Sequence, residues 1–448
     1  MTSAAASERT RQAVHVAMGA FALLLRYLTW WQAALLAGAA LAFNCFVLPE
    51  IGGARLYRTA EHTRGYSAGM LLYPLAVLLL LFVFPARLDI VAAAWGILAA
   101  GDGMATIVGT HGRGPRVPWN RDKSVAGSLA LFLFGGAASA FLAWWCRPAV
   151  TPAPSVWFSL AVPFAAAAVA ALAETIPIRL DDNLTVPMTA AGVLWAASLM
   201  RQDAIASAAA HAFRTFPIGA ALNMVVAVAG HRAGTVSTSG AVIGACIGAA
   251  IYVTAGWQGW VLLMVTFLAA SVTSRLGLRR KTLLGIAEDR GGRRGAGNAI
   301  ANTGLAALAA LLAVTTHATG AAMIGFVATL TAAGSDTVAS EIGKALGRRT
   351  YMVHTLAAVP PGTPGAISLE GTAAGLVCAC VLAALGAALG LVPRSTLAGI
   401  VAGATLGAFA ESALSATLEH RGILNNDVLN FLNTGIAAVS AIYFVRLL

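Results

Sequence analysis

Apolar runs of about membrane-span length recur from one end of the chain to the other, and short polar segments separate them. Such a run has to satisfy its own backbone hydrogen bonds as a helix, because the bilayer core holds no water. The runs are continuous rather than alternating, which argues against a porin-like barrel. The pattern predicts an all-α, polytopic integral membrane protein with about fifteen transmembrane helices. The segments fall near 13–28, 31–49, 68–85, 88–101, 124–146, 156–178, 185–200, 205–229, 236–255, 259–274, 297–316, 320–335, 366–391, 396–418 and 428–445.

Composition agrees. Only 10% of the 448 residues are charged, against about 25% in a soluble domain. The formal net charge of +11 is not a nucleic-acid signal, because the bases sit in short loops between spans, as the positive-inside pattern requires. With a cytoplasmic N-terminus, the basic segments 55–64, 113–123, 179–183, 231–232, 275–294, 344–349 and 419–427 all fall on one face. Arg147, Arg201 and Arg394 fall on the other. The expected location is a bacterial-type inner membrane with the motif loops in the cytoplasm. The stretch 1–10 lacks the cleavage pattern of a secretory signal, so the first span is expected to remain. The five cysteines lie in or at the ends of apolar runs without metal-ligand spacing.

The densest mixture of acid, glycine and base is Gly101–Ser128, GDGMATIVGTHGRGPRVPWNRDKSVAGS. Asp102 ends an apolar run, where a carboxylate is costly unless paired or solvated. The glycines that follow, Gly109 and Gly112 among them, can expose backbone N–H groups to phosphate oxygens. Arg113, Arg116 and Lys123 can neutralise a polyphosphate, with Ser124 beside them. Mg2+ prefers one or two carboxylates plus substrate phosphates, which suits Asp102 with a nucleotide. The competing reading is a solvated loop that carries topology-setting charge. Asp181, Asp182 and Asn183 follow at a span end, either as a metal ligand and base or as a helix N-cap cluster. Glu174 is either part of the same chemistry or an ion-pair partner of Arg179.

The stretch recurs. Asp336, Ala339 and Gly343 repeat the spacing of Asp102, Ala105 and Gly109, and Ser368–Gly371–Thr372 repeats Ser124–Gly127–Ser128. Arg294–Gly295 echoes Arg64–Gly65, and Glu411 with Asn425–Asn426–Asp427 echoes Glu174 with Asp181–Asp182–Asn183. This predicts a tandem parallel repeat of a seven-helix unit joined by one linker helix, with domains at 1–202 and 233–448 and the linker at 203–232. Glu341, one turn past Asp336, is a metal ligand or a partner of Lys344. The basic loop 275–294 reads as an anionic-lipid contact or a topology signal. P-loop, Gly-x-Ser-x-Gly and His-Glu-x-x-His motifs are missing from the sequence.

Arg11-xxx-His15-xxx-Gly19, Leu72–Tyr73–Pro74, the Gly101–Ser128 stretch and ETIPIRLDDNLTVP at 174–187 together resemble the membrane family of phytol and dolichol kinases. That family is related to CTP-dependent diacylglycerol kinases and, more distantly, to phosphatidate cytidylyltransferases. RRGAGNAIANTG at 293–304, AAGSDTVASEIG at 332–343, VPPGTPGAISLEGT at 359–372 and ESALSATLEHRGILNNDVLNFLNT at 411–434 resemble a membrane family long described as a domain of unknown function. The plastid phytyl-phosphate kinases belong to it.

The resemblance implies a kinase of isoprenoid alcohols. The first half would transfer the γ-phosphoryl group of CTP, or another NTP, to phytol or a related prenol. The second would phosphorylate the prenyl monophosphate. Implied catalytic residues are Asp102, Asp181, Asp182, Asp336 and Glu341, with Mg2+ on Asp102 and Asp336. Gly109, Gly112, Arg113, Arg116, Lys123, Ser124, Asn183, Ser368 and Glu370 would bind substrate or phosphate. The implied partners are membrane lipids, the isoprenoid alcohol or its phosphate, and the nucleotide. The first loop departs from the kinase pattern at Ala126, where a glutamate is usual, and the second has Ile367 at the lysine position. A cytidylyltransferase that forms a CDP-lipid and a transporter or flippase of phosphorylated lipids are the alternatives.

Overall fold

The computed structural model of the chain describes residues 3–48, 50–51, 68–111, 114–176, 180–286, 293–419 and 423–447. Helices make up nearly all of its regular structure, and the two sheets are small. Eleven helices among the described residues are long and apolar enough to cross a bilayer, and Ala68–Val83 is a shorter apolar helix. The molecule is therefore a predominantly helical integral membrane protein, with fewer such helices among the described residues than the about fifteen segments of the hydrophobic pattern. The difference has local causes. The first segment is a helix, Ser3–Met18, that tightens into a 3-10 turn at Gly19–Arg26. The seventh lies in Asp182–Ser198, only 17 residues long. The ninth and tenth share one 38-residue stretch, Thr238–Arg275.

The chain divides into two compact units, Met1–Ser198 and Leu199–Leu448. The first contains α1 (Ser3–Met18), α2 (Trp30–Ala42), α3 (Ala68–Val83), α4 (Leu88–Gly96) and α5 (Gly103–His111). A hairpin of β1 (Arg116–Val117) and β2 (Asn120–Ser124) leads to α6 (Val125–Ala130), α7 (Gly136–Cys146), α8 (Val156–Glu174) and α9 (Asp182–Ser198). Two wide π-helical segments, Ile97–Asp102 and Leu131–Gly135, join α4 to α5 and α6 to α7. They meet at glycines: a Cβ on Gly101 would lie 3.1 Å from Cα of Gly135. Lipid is as apolar as leucine, so helices in a membrane gain from close backbone approach, and small residues permit it. Ala92, Ala93, Ala94, Ala166, Ala167 and Ala170 are fully buried in this unit, whereas Phe46, Trp157 and Leu172 are exposed.

The second unit contains α10 (Gln202–Arg232), α11 (Thr238–Arg275), the short α12 (Leu278–Leu283), α13 (Ala296–Thr315) and α14 (Thr319–Leu346). After these come β3 (Thr350–Met352), β4 (Ala358–Val359), β5 (Ala366–Ser368), α15 (Leu369–Ala388), α16 (Leu397–Leu414) and α17 (Asn426–Leu447). The strands form a sheet in the order β4-β3-β5. The segment expected as a linker is α10, which falls inside this unit. At the centre is α14, with every residue from Gly325 to Ser335 buried and with α11, α13, α15, α16 and α17 packed around it.

Within α11 the chain reverses at Gly256, whose φ of 68° and ψ of −173° suit glycine alone. The two arms lie side by side. Arg275 at the end of the second arm donates through its guanidinium to the Ala233 carbonyl at 2.7 Å, just before the first arm begins. Asn223 of α10 touches both arms, accepting from Trp260 Nε1 at 3.2 Å and lying against Gly248.

A glycine seam runs through both units. In the first, Gly109 and Gly127 bring α5 and α6 together, and in the second, Gly343 and Gly371 do the same for α14 and α15. A Cβ on Gly371 would sit 2.5 Å from the Ala339 carbonyl oxygen, a clash with backbone that only helix displacement relieves. Gly371→Ala is expected to destabilise the protein by about 1–3 kcal/mol. A lowered unfolding temperature in detergent would show it, and an unchanged melt would mean that the seam is looser than described.

Candidate functional site

The site in the first unit is built from helix ends. Ser124 ends β2 and caps α6, its hydroxyl oxygen accepting from the Gly127 N–H at 3.1 Å. The hairpin before it is docked on the end of α8: Trp119 Nε1 donates to Thr175 Oγ1 at 3.1 Å, and Asn120 Nδ2 donates to the Thr175 carbonyl at 3.1 Å. This docking directs Lys123 inward. Its ammonium lies 2.5 Å from Glu174 Oε1 and 2.7 Å from Asp182 Oδ2.

Asp102, at the end of the first π segment, joins them. Asp102, Glu174 and Asp182 each offer a carboxylate oxygen, and these atoms lie within 4.8 Å of one another. Below Asp102, His15 Nε2 is 3.5 Å from Oδ2 and 3.0 Å from the Leu98 carbonyl. The His15 ring stands edge-on to Tyr73, whose hydroxyl donates to the His15 carbonyl and accepts from Trp95 Nε1. A Cβ on Gly103 would meet Val16 at 2.6 Å, so the glycine after Asp102 lets α1 approach.

Three carboxylates share one ammonium here, and in a largely buried setting that imbalance favours an added cation. Burial by itself would lower the Lys123 pKa. The carboxylates of Glu174 and Asp182 outweigh it and hold the ammonium above its ordinary value. All the donors are hard oxygens and they come from three separate elements, which fits Mg2+.

Several residues have other duties than the sequence suggests. Asp181 Oδ1 accepts from the Asn183 backbone N–H at 3.0 Å and from its side chain at 2.6 Å, which caps α9, while Asp182 is the member of the acidic run that pairs with Lys123. Gly109 lies within α5, not in an open loop; its N–H belongs to the helix and its bare Cα serves packing against Ser124 and Gly127. Ser124 is engaged as a cap. Arg116 is exposed on the hairpin, turned toward the Asp122 carbonyl at 3.5 Å. Glu174 pairs with Lys123. Gly112, Arg113 and Arg179 lie outside the described residues.

In the second unit Ser368 caps α15 through the Gly371 N–H at 3.1 Å, as Ser124 does. Glu370 accepts from the Arg348 N–H at 3.3 Å and so ties together the two ends of the loop between α14 and α15. Glu341 is buried between two lysines: Lys281 Nζ at 2.5 Å and Lys344 Nζ at 3.0 Å. Lys281 is only 1% exposed and also donates to the carbonyls of Thr273 and Ser274 at 3.2 Å. Lys344 also faces Asp336 electrostatically. Asp336 and Glu411 are close enough to repel each other. Among the described residues Glu411 Oε2 is buried without a hydrogen-bond partner. Asp336, unlike Asp102, belongs to no convergent trio of ligand atoms among the described residues.

The sequence missed Lys281. It sits in the basic loop read as a lipid contact, yet it points inward, and its neighbour Arg280 donates to the Ala345 and Gly347 carbonyls at the end of α14. The partner, Glu341, is 60 residues away, a distance that local spacing does not reveal.

Fold and site together define an integral membrane protein with carboxylate and lysine clusters gathered at helix ends. The chain belongs to the family described as integral membrane protein DUF92, whose pattern it matches over residues 221–438. An uncharacterised membrane protein of Synechocystis is 38% identical over 203 residues, covering 44% of this chain and 77% of the relative. The chloroplast protein VTE6 of Arabidopsis thaliana is 35% identical over 214 residues, 46% of this chain and 64% of that protein. A probable chloroplast phytol kinase 3 of Glycine max is 31% identical over 191 residues, 40% of this chain and 60% of that protein. No solved structure matches.

Proposed function

We propose that the chain is a membrane kinase of isoprenoid alcohols. The first unit phosphorylates phytol or a related prenol, and the second phosphorylates the resulting monophosphate to the diphosphate. The observation that carries this reading is the convergence of Asp102, Glu174 and Asp182 with Lys123. The relatives named as phytol kinases supply the substrate class.

The prenol hydroxyl oxygen attacks the γ-phosphorus of CTP or another NTP. The new O–P bond forms as the bond from that phosphorus to the bridging oxygen breaks, and the nucleoside diphosphate leaves. The hydroxyl proton passes to Asp102 or Asp182. Lys123 exchanges its carboxylate partners for phosphate oxygens as the nucleotide enters. When bound, Mg2+ supplies positive charge to the phosphate oxygens, and Asp102, Glu174 and Asp182 are the residues that would hold it. In the second unit Lys281 and Lys344 provide the cationic charge, with Asp336, Glu341 and Glu411 as the acids. The seam that joins α5 to α6 and α14 to α15 supports a duplicated unit. The apolar chain stays in the bilayer while both motif loops and the N-terminus face the cytoplasm, where the nucleotide is.

Purified protein given Mg2+, phytol or phytyl phosphate, and CTP or ATP radiolabelled at the γ-phosphorus should label both lipids. Asp182→Asn should slow the first step by about 100-fold and spare the second. Absence of label from either lipid with both nucleotides would overturn the proposal. Product mass separates a gain of one phosphate from the gain of a CMP group.

A further inference from the structure

The second unit contains a cavity of about 110 Å³ between α10, both arms of α11, and α13. Its walls are mostly apolar and small. Its two ends differ. One lies at the level of Gly230, Val236 and Arg294, where the backbone is pinned: Ser237 N–H donates to the Arg294 carbonyl and Arg294 N–H to the Thr235 carbonyl, each at 3.0 Å. The other lies at Asn223 and Leu263, seven residues down α10 from Gly230, about 10 Å deeper. From Arg294 the polar lining continues inward along one face of α13 through Asn298 and Asn302, one turn apart.

We propose that this slot takes the phosphate-proximal isoprene unit of a prenyl monophosphate, with Arg294 and Asn298 at its mouth receiving the phosphate; the choice of ligand rests on the kinase reading above. Three observations meet here. The mouth has a cation and an amide, which complement an anionic head. The interior is narrow and mostly apolar, and the side chains of Asn223 and Asn302 within it are already hydrogen-bonded to protein groups, which suits an unsaturated hydrocarbon rather than a sugar or a nucleotide. The slot also touches the chemistry: Ala333 of α14 lines it, and Asp336 lies one turn further along the same helix face. Thr266, another lining residue, lies against Gly334, where a Cβ would meet its methyl at 3.2 Å.

Size narrows the inference. An apolar cavity of about 150 Å³ holds a benzene-sized group, so about 110 Å³ matches one five-carbon unit rather than a whole chain. The remainder of the chain runs out between helices into lipid. The site then senses the unit next to the phosphate and is indifferent to total chain length.

Gly244 provides the test. It lines the slot, and a Cβ added there meets nothing within 4 Å, so a side chain can start there without a clash and a phenylalanine ring is expected to occupy the slot. The probe is a geranylgeranyl monophosphate with a photoreactive diazirine in its first isoprene unit, used without nucleotide on the full chain in nanodiscs. Labelling should fall on the α10 and α13 residues of the slot. It should drop at least about 10-fold in Gly244→Phe and persist in Gly244→Ala, whose retained label and melt show that the position tolerates change. Arg294→Gln should weaken labelling by the phosphate and leave that by the matching prenol unchanged. Unlabelled geranyl and geranylgeranyl phosphates should compete equally, and phosphatidate poorly. Label outside the slot, label that survives Gly244→Phe, or equal competition by phosphatidate would each overturn the proposal, the last by making the slot a general anionic-lipid site. Slot labelling in a protein that transfers no phosphate would sink the kinase reading and leave the slot; transfer with label elsewhere would do the reverse.

Discussion

Lys123→Met is expected to abolish phosphorylation of the prenol, lowering kcat by about 100- to 1,000-fold, the range for removing a preorganised charge from a transition state. The same change leaves Glu174 and Asp182 without their ammonium. Breaking a fully buried pair costs about 3–5 kcal/mol. The Asp182 side chain is 34% exposed, so solvent screening brings the expected loss nearer about 2 kcal/mol. Because the lysine pKa is raised, its contribution is complete below the ordinary lysine value of about 10.4 and disappears only as pH rises through the higher folded value. Activity loss from Lys123→Met should thus be the same at neutral and mildly alkaline pH. Single-turnover kinetics would check the first effect and detergent melts the second. A variant with near-normal turnover would show that Lys123 is only structural.

Lys281→Met is the second large effect, and it appears first in stability. Lys281 and Glu341 are almost completely buried, at 1% and 2% side-chain exposure. Removing the lysine strands a carboxylate whose remaining partner is Lys344 at 3.0 Å, so the cost should sit at the lower end of about 3–5 kcal/mol. Adding Glu341→Leu should recover most of it, because two apolar side chains carry no uncompensated charge. If the single variant melts like the parent, the pair is not the anchor described. If the double variant is stable yet phosphorylates no prenyl monophosphate, the pair also serves the second step.

The two lysines mark where sequence reasoning succeeds and where it stops. Lys123 was visible because it lies within one continuous stretch with Asp102, and local order carries over into local geometry through the hairpin. The spacing of Asp336, Ala339 and Gly343 was visible for the same reason: the helix period puts them on the face that meets the next helix. What that spacing means was less clear. Gly109 and Ser124 read as phosphate-binding residues, and the structure shows them in helix packing and capping, functions that favour the same residue types. Lys281 was hidden because its partner arrives from another helix. The span count was blurred where polar residues open α9 and where one glycine replaces a loop in α11.

That glycine has a consequence for sidedness. As a straight rod, 38 residues would measure about 57 Å, close to twice the hydrocarbon thickness of about 30 Å. The reversal at Gly256 instead returns the chain to the leaflet it left, as the contact of Arg275 with Ala233 requires. It does so without the hydrophilic bend that proteases and aqueous labels usually find on a far surface. Every crossing after it inherits its orientation from that turn. The two ends of this stretch lie side by side because of the backbone angles of a single residue.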